Sequence, residues 1–299
     1  MKQLKIVHRG KPKLFAVVLA RLTRLDPEET DLLIQMGGAY LGKKRCKDPH
    51  AVVSEGDMVQ AWFRLPLEMK PVDFQPSWVI EANDRFLVAA KPPGLPTQGR
   101  RDADYMAFYL LLEQNMGGYL GLHHRLDQDT SGLLLFSREK AINRDIAQIF
   151  SDGLVHKEYI AVCSGKWPFP ADEAEIDLPL GPKIGSRGTI QQVTKKGKRA
   201  LSVVKRLAEF DGLTLVQAIP KTGRTHQIRA HLAYHELPLW GDGWYGGPRT
   251  DFRFLLHCSR LAWPETGRLI KADYRLAVPQ LWRQAPQALL DALPEDLRP

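Results

Sequence analysis

The chain has 299 residues, of which 44% are hydrophobic and 25% are charged, a balance typical of a globular protein that can bury a sizeable core. Lys and Arg number 42 against 34 Asp and Glu, and the resulting net charge of +8 favours nucleic acid as a partner, because phosphate binding releases counterions. The three cysteines, Cys46, Cys163 and Cys258, lie far apart, which excludes a CxxC zinc or redox pair and argues against a disulfide framework.

The first 63 residues predict a small module of two helices and two strands. The segments LFAVVLARL and EETDLLIQMGG indicate amphipathic helices, and the second ends at Gly37 and Gly38 as in a helix C-cap. The segments AYLGKKRC and EGDMVQAWF indicate short strands. The basic start followed by apolar Leu14–Ala20 imitates a signal peptide, but Arg21 and Arg24 interrupt it. Since no stretch approaches the ~20 apolar residues of a membrane span, we expect a soluble cytoplasmic protein.

The segment LPLEMKPVDFQPS, residues 65–77, is rich in proline, lacks periodicity and is typical of a linker. We therefore predict one domain over residues 1–70 and a second over 71–299 that folds alone. In the second domain, WVIEANDRFLVAA and ALSVVKRLAEFDGLTLVQAI each indicate two strands around a turn. Helices are predicted at Asp104–Gln114, Glu139–Phe150, Thr225–His235 and Pro286–Leu297. Strands with few helices and no βαβ alternation predict an α+β domain.

The segment GLHHRLDQDTSGLLLFS, residues 121–137, carries a polar cluster directly into an apolar strand. Asp127 lies between Arg125 and turn-forming residues, so local donors can hold its carboxylate while it faces a cleft. In the competing interpretation, Asp127 and Asp129 only shape a turn, which is common for aspartate.

The segment PKTGRTHQIRAHLAYH, residues 220–235, opens as a loop and continues as a helix with Ile228, Arg229 and Leu232 on one face. Because this face is mostly apolar, Arg229 is expected to be partly buried, and a buried guanidinium is costly unless a carboxylate pairs with it. Asp127 is the candidate partner, since the ion pair would also keep that acid ionised. The alternative is an Arg229 side chain that snorkels to the surface.

Two further segments carry weaker signals. The strand KEYIAVCSG places Tyr159 on the same face as Lys157, where a tyrosine can stack on a base or pass a proton, although most strand tyrosines simply pack. The basic run KKGKR, residues 195–199, suits phosphates, and a solvated turn explains it nearly as well.

Asp127 and Asp129 also resemble the paired aspartates of metal-dependent phosphotransferases, but those follow a buried apolar strand, whereas polar residues 123–125 precede this pair. The sequence contains neither a GxxxxGK[ST] loop nor an HExxH motif, which excludes P-loop nucleotide hydrolysis and zinc proteolysis of that type. We therefore expect no metal.

The segment HRLDQDTSGLLLFSR closely resembles the catalytic motif of the RluA-type pseudouridine synthases. DRFLVAAKPPGL resembles the first motif of that family, KEYIAVCSG its tyrosine strand, KTGRTHQIRAHL with PLWGDGWYG its third motif, and LHCSRL its last strand. These segments are spread along Trp78–Trp282 in the family's order. The resemblance implies a mixed, largely antiparallel sheet with a central cleft. It also implies an enzyme that isomerises uridine to pseudouridine in structured RNA without a cofactor, with large-subunit ribosomal RNA favoured over transfer RNA.

Carried over by position, the resemblance implies that Asp127 is the catalytic aspartate, Tyr159 the active-site tyrosine and Arg229 the arginine that pairs with the aspartate. Residues Leu14–Phe63 are similar to a degenerate copy of the small RNA-binding module named after ribosomal protein S-four. The predicted RNA contacts are Lys43, Lys44, Arg45, Arg125, Lys195, Lys196, Lys198, Arg199, Arg224 and His226.

We expect a monomer that acts on RNA, with no membrane contact and no obligate protein partner. Two rivals remain open at this point. One is a non-catalytic RNA-binding or ribosome-assembly factor with the same fold, and the other is a phosphotransferase that uses Asp127 and Asp129 to hold a metal.

Overall fold

A computed structural model describes residues 1–70, 72–185 and 188–299, which form two compact units. The first unit combines Met1–Gln75 with Pro96–Gly117, and the second combines Pro76–Leu95 with Gly118–Pro299. These units differ from the predicted domains, because residues 96–117 belong to the first unit although the sequence assigned them to the second domain. The predicted start of that domain, Pro71, lies outside the described residues.

The first unit is a small sheet covered by helices. Its elements within the described residues are β1 (Lys2–Val7), β2 (Lys13–Leu14), α1 (Phe15–Thr23), α2 (Pro27–Met36), β3 (Ala39–Leu41), β4 (Lys44–Arg45), β5 (Val52–Val53), β6 (Met58–Phe63) and α3 (Phe108–Met116). A four-stranded antiparallel sheet has the order β1, β6, β3, β4, and β2 pairs with β5. Both predicted helices are present. The sequence missed β1, whose residues are mostly exposed and therefore show little apolar alternation.

The α2 helix could be predicted because its sequence contains residues that start and end a helix. Asp26 accepts a hydrogen bond from the backbone N–H of Glu29, whose carboxylate in turn accepts one from the backbone of Asp26, so α2 begins with a capping box. It ends at Gly37, which has a left-handed φ of 85° that glycine adopts without strain. Phe15, Leu33 and other apolar side chains of the unit form its core.

Acidic side chains hold residues 96–117 within the first unit. Three salt bridges join this segment to Met1–Gln75: Arg45 to Asp104 at 3.2 Å, Lys47 to Asp104 at 2.7 Å and Arg64 to Asp102 at 3.5 Å. The backbone N–H of Asp104 also donates to the Met36 carbonyl at 2.9 Å. Asp102 and Asp104 are both buried, so the segment is an integral part of the unit.

The second unit is built on one large sheet. Its strands within the described residues are β7 (Val79–Ala82), β8 (Phe86–Lys91), β9 (Gly121–Leu122), β10 (Ser131–Ser137), β11 (His156–Ser164), β12 (Glu173–Asp177), β13 (Leu180–Gly185), β14 (Gly188–Val193), β15 (Leu201–Phe210), β16 (Leu213–Pro220), β17 (Leu256–Trp263) and β18 (Ala272–Arg275). Its helices are α4 (Asn143–Ser151), α5 (Gln227–Tyr234) and α6 (Gln287–Asp291), with 3-10 helices at Pro76–Trp78, Lys140–Ile142, Gln280–Gln284 and Glu295–Leu297.

The ten-stranded sheet has the order β12, β15, β16, β11, β17, β10, β8, β7, with β18 beside β17 and β9 beside β10. Neighbouring strands in it are antiparallel except for β10 and β17, which run parallel. The expected α+β class with a mixed, largely antiparallel sheet is therefore confirmed. Outside this sheet, β13 and β14 form a hairpin of their own.

The C-terminal segment differs from its prediction. In place of one helix over Pro286–Leu297, the chain forms the short α6 and a separate 3-10 turn, because Pro294 cannot continue a helix. Leu289 and Leu293 of this segment pack with Trp282 against the sheet in a buried apolar cluster. None of the described helices has the length and apolar character to cross a membrane.

Candidate active site

The loop that carries Asp127 is fixed where β10 begins. The parallel pairing of β10 with β17 places Gly132 beside Cys258. Gly132 has a φ of 118°, and a Cβ atom there would overlap the backbone of Cys258, so a glycine is required for this close approach. Asp127 therefore lies at one end of the central strands of the sheet, where the turn from Asp127 to Thr130 is closed by a backbone hydrogen bond of 3.2 Å.

Asp127 forms the predicted ion pair. Its Oδ2 accepts a hydrogen bond from Nη1 of Arg229 at 2.8 Å, and Nε2 of His226 lies 3.8 Å from the same oxygen. The Asp127 side chain keeps 23% of its surface exposed, so a substrate can reach it. Arg229 is only 5% exposed, and the alternative of a snorkelling surface arginine is therefore wrong.

A second carboxylate, which the sequence did not single out, holds Arg229 from its other side. Nε and Nη2 of Arg229 donate to Oδ2 and Oδ1 of Asp242 at 2.7 and 3.0 Å, in the bidentate geometry that suits a guanidinium. Asp242 is 2% exposed. The guanidinium carbon also lies 4.6 Å from the ring centroid of Phe254 and 4.9 Å from that of Tyr245. The Asp242 clamp thus leaves Nη1 as the donor that faces Asp127.

The electrostatics of Arg229 follow from this arrangement. Burial alone lowers the pKa of the guanidinium, but its hydrogen bonds and charge interactions with Asp242 and Asp127 outweigh burial and raise that pKa overall. Arg229 is therefore a permanent cation that orients the catalytic candidate Asp127 and neutralises the buried Asp242.

Lys91 holds together the KPPGL loop and the loop that carries Asp127. Its Nζ donates to the carbonyls of Pro92 at 2.9 Å, Leu95 at 2.8 Å and Gln128 at 3.0 Å. Burial lowers the pKa of Lys91 to about 7, while the charges of Asp129 and Asp127 act in the opposite direction. Lys91 therefore ties the KPPGL loop to the residue that follows Asp127. In the sequence, the one indication of a role for Lys91 was its position in the KPPGL segment.

Tyr159 lies on β11, whose partners are Cys258 on β17 and Ala218 on β16. The side chain is 8% exposed, and burial, followed by the neighbouring Cys258 and Asp127, raises the pKa of its hydroxyl well above the usual range. The phenol is therefore protonated near neutral pH. Lys157 is half-buried, and burial lowers its pKa.

His226 and Tyr245 close the site beside α5. His226 has a left-handed φ of 54°, and its Nδ1 lies 2.9 Å from the hydroxyl of Tyr245. Burial lowers the pKa of His226, so its imidazole is neutral at pH 7. The backbone N–H of Gln191 on β14 donates to the Tyr245 hydroxyl at 3.0 Å, which links the β13–β14 hairpin to the site.

The remaining predicted RNA contacts lie mostly on the surface. Exposed members of this set are Lys43, Lys44, Arg125, Lys195, Lys196, Lys198, Arg199 and Arg224. Nε of Arg224 donates to the Arg199 carbonyl at 2.9 Å, so the loop before α5 meets the KKGKR turn. Arg45 differs from the others, because its guanidinium bonds to the Arg100 carbonyl at 2.6 Å and to Asp104 inside the first unit.

The paired-aspartate alternative does not fit the carboxylates as they lie. Asp127 pairs with Arg229, and Asp129 pairs with Arg253, so each acid faces a guanidinium. Within the described residues, no group of three or more His, Cys, Asp or Glu side chains is arranged to hold a metal ion. The arginine partners therefore disfavour a shared metal site at this pair.

Comparison with known proteins identifies a family and several relatives. The family described as RNA pseudouridylate synthase matches residues 85–234. The ribosomal large subunit pseudouridine synthase C of Vibrio parahaemolyticus is 32% identical over 73% of this chain and 71% of its own length. The mitochondrial tRNA pseudouridine(32) synthase of Saccharomyces cerevisiae is 27% identical over 82% of this chain and 55% of its own length.

The fold is shared with a solved structure, human RNA pseudouridylate synthase domain containing 4, at a TM-score of 0.57 and 20% identity over 72% of this chain and 92% of that one. The family match spans half of the chain and contains the whole Asp127 loop, Tyr159 and Arg229. This chain therefore belongs to the RNA pseudouridylate synthase family, of the RluA type, and is an isomerase that acts on RNA.

Proposed function

We propose that this enzyme isomerises specific uridines in structured RNA with Asp127 as the catalytic carboxylate, and that large-subunit ribosomal RNA is its substrate. The catalytic assignment rests on the chain of ion pairs from Asp242 through Arg229 to Asp127, called the relay below. In it, the buried bidentate pair with Asp242 holds Arg229 so that an N–H of Nη1 points at the partly exposed Asp127 carboxylate. A carboxylate held in this way is oriented before substrate arrives.

The reaction requires such a carboxylate and no redox partner. The bond between ribose C1′ and uracil N1 breaks, a new bond forms between C1′ and C5 of the base, C5 loses a proton and N1 gains one. Three routes share Asp127 as the reacting group: attack on the sugar, removal of a sugar proton to give a glycal, and addition to the uracil ring. In each route, Arg229 is a positioning residue for the carboxylate.

Tyr159 is assigned to the uracil ring. Its burial and raised pKa support packing against the flipped base, because a phenol that is protonated at neutral pH is a poor resting base. Since the glycosidic bond is hidden in folded RNA, the uridine must leave its stack to reach Asp127. The exposed basic residues around Arg224 and the KKGKR turn are proposed to hold the flanking phosphates.

The choice of ribosomal over transfer RNA rests on the first unit and on the name of the Vibrio relative, while the yeast relative acts on transfer RNA by its name. We propose that the first unit is an S-four-like RNA-binding module and contacts RNA through Lys43 and Lys44. We further propose that the enzyme works as a monomer in the cytoplasm, without cofactor, metal or protein partner.

The decisive experiment maps pseudouridines across total RNA from cells that lack this gene and carry either wild-type enzyme or Asp127→Asn. Wild type should restore a small set of sites, and Asp127→Asn should restore none while it still folds and binds RNA. A site restored by Asp127→Asn would refute the assigned role of the carboxylate. Sites in transfer RNA alone would refute the ribosomal substrate.

A chelation control separates this function from the phosphotransferase rival. Turnover on prefolded RNA should survive excess EDTA, because the carboxylate is prepared by arginine and not by a metal. Loss of turnover that magnesium restores, with the RNA fold verified by native gel, would contradict this.

A further inference from the structure

An exposed tryptophan lies on a hydrogen-bonded turn next to the ion-pair relay. Trp244 has 42% of its surface exposed although it lies two residues after the buried Asp242. Its backbone N–H donates to Oδ1 of Asp242 at 3.2 Å. The backbone N–H groups of Tyr245 and Gly247 both donate to the Asp242 carbonyl at 3.0 Å. The buried carboxylate that clamps Arg229 thus also fixes the turn that presents the indole.

The indole borders the catalytic group at short range. The guanidinium carbon of Arg229 lies 6.0 Å from the ring centroid of Trp244. The ring of His226 meets the indole edge to face at 6.1 Å and 70°, and the same imidazole lies 3.8 Å from the Asp127 carboxylate. One ring therefore separates the indole from Asp127, which places Trp244 at the border of the site and not in its interior.

The chemistry of this border fits a nucleobase. A large apolar ring that stays in water forgoes the favourable free energy of hydrophobic burial, and a base that stacks on the ring recovers part of it. Arg224, two residues before His226, is exposed and supplies a cation for phosphate on the loop that leads to His226. Aromatic platforms beside basic groups bind unpaired bases with little sequence preference.

We propose that Trp244 stacks on an unpaired nucleobase that flanks the target uridine, and that the enzyme therefore selects uridines in single-stranded loops whose neighbour is free to stack. This rests on the proposed function. Trp244 is a positioning residue: its stacking energy holds the flanking strand while the uridine turns toward Asp127.

The test uses a synthetic RNA hairpin that carries the uridine mapped in the gene-deletion experiment, with versions in which the 5′ or the 3′ neighbour of that uridine is abasic. The enzymes are wild type, Trp244→Ala, Trp244→Phe and the control Phe210→Ala, which removes a ring that is 48% exposed at the end of β15. Thermal unfolding of each variant checks the fold.

Trp244→Ala should lower kcat/KM by roughly 5- to 150-fold, the range that follows from the energy of base–aromatic stacking, with unchanged thermal stability. Trp244→Phe should recover most of the loss, and Phe210→Ala should match wild type. One abasic neighbour should weaken the wild type by a similar factor and leave Trp244→Ala unaffected, because the partner of the stack is already absent.

Two results would overturn the stacking proposal while wild type still forms product, and both would leave the function intact. In the first, an abasic neighbour lowers kcat/KM of Trp244→Ala as much as it lowers that of wild type. In the second, Trp244→Ala and wild type have equal kcat/KM on the intact hairpin. Absence of product from wild type on every version of the hairpin and on total RNA would overturn the function and the stacking together.

Discussion

Replacing Asp242 tests whether the relay contributes to the stability of the fold and to catalysis. Asp242→Asn keeps the shape of the side chain but removes its charge, and its NH2 group must face one of the two Arg229 donors, Nε or Nη2, with another donor. Both partners are buried, at 2% and 5% exposure. Breaking such a pair typically costs ~3–5 kcal/mol, and we expect ~3 kcal/mol because Asp127 still compensates part of the Arg229 charge.

The matched control is Asp127→Asn. The Asp127 side chain is 23% exposed and contributes one hydrogen bond to Arg229, which its amide oxygen can still accept, so we expect a loss below ~1 kcal/mol. In thermal unfolding, ~3 kcal/mol corresponds to a fall in Tm on the order of 6–12 °C. Both variants should lose pseudouridine formation in single-turnover assays, Asp127→Asn completely and Asp242→Asn in the rate of the chemical step.

The double replacement Arg229→Met with Asp242→Leu sharpens the test, because an apolar pair of similar volume often replaces a buried ion pair without loss of stability. The double variant should unfold at a higher temperature than Asp242→Asn and remain inactive. If Asp242→Asn kept wild-type stability and rate, the bidentate contact would contribute neither to the fold nor to the orientation of Asp127, and the relay would be refuted.

Three other changes address the scaffold. Burial lowers the pKa of Lys91 from 10.5 to about 7, so between these values the unfolded chain binds more protons and the unfolding free energy should rise with pH. Urea unfolding at several pH values should show this rise for wild type and not for Lys91→Met, and equal slopes would contradict it. In wild type, the Leu135 N–H donates to Nε2 of His124 at 2.9 Å, and His124→Leu removes this acceptor. The variant should lose ~1–3 kcal/mol of unfolding free energy in the same assay, whereas His124→Gln should lose less. A chain that begins at Pro76 lacks Arg45, Lys47 and Arg64, which pair with Asp104 and Asp102. Trypsin should therefore cleave after Arg100 much faster than in the full chain, unless residues 96–117 hold their structure alone.

The parts of the fold that depend on local pattern could be predicted from the sequence. The α2 helix carries its own start and stop in Asp26 and Gly37, and the two-strand segments carry their turn residues, so neither needed information from elsewhere in the chain. The partner of Arg229 was predictable because a buried guanidinium demands a carboxylate and Asp127 lay in the most polar cluster.

The parts that depend on distant contacts could not be predicted. Asp242 lies between glycines in a segment without periodicity, and only the folded chain shows that it clamps Arg229. Lys91 gives no local sign that its ammonium group will bond to a carbonyl of Gln128. The membership of residues 96–117 in the first unit likewise depends on Asp104 meeting Arg45, two residues that lie far apart in the sequence.

That membership has a consequence for how the chain emerges from the ribosome. The first unit remains incomplete after Gln75 and receives its final segment only when Gly117 has been made, on the order of 2–8 s later at typical rates of synthesis. When residues 96–117 join the first unit, both ends of the stretch that contains β7 and β8 are fixed, whereas β10, the partner of β8, lies further along the chain and emerges later. The first hairpin of the catalytic sheet is thus held as a closed loop with limited freedom, which lowers the entropy lost when the Asp127 loop and its strand arrive to pair with it.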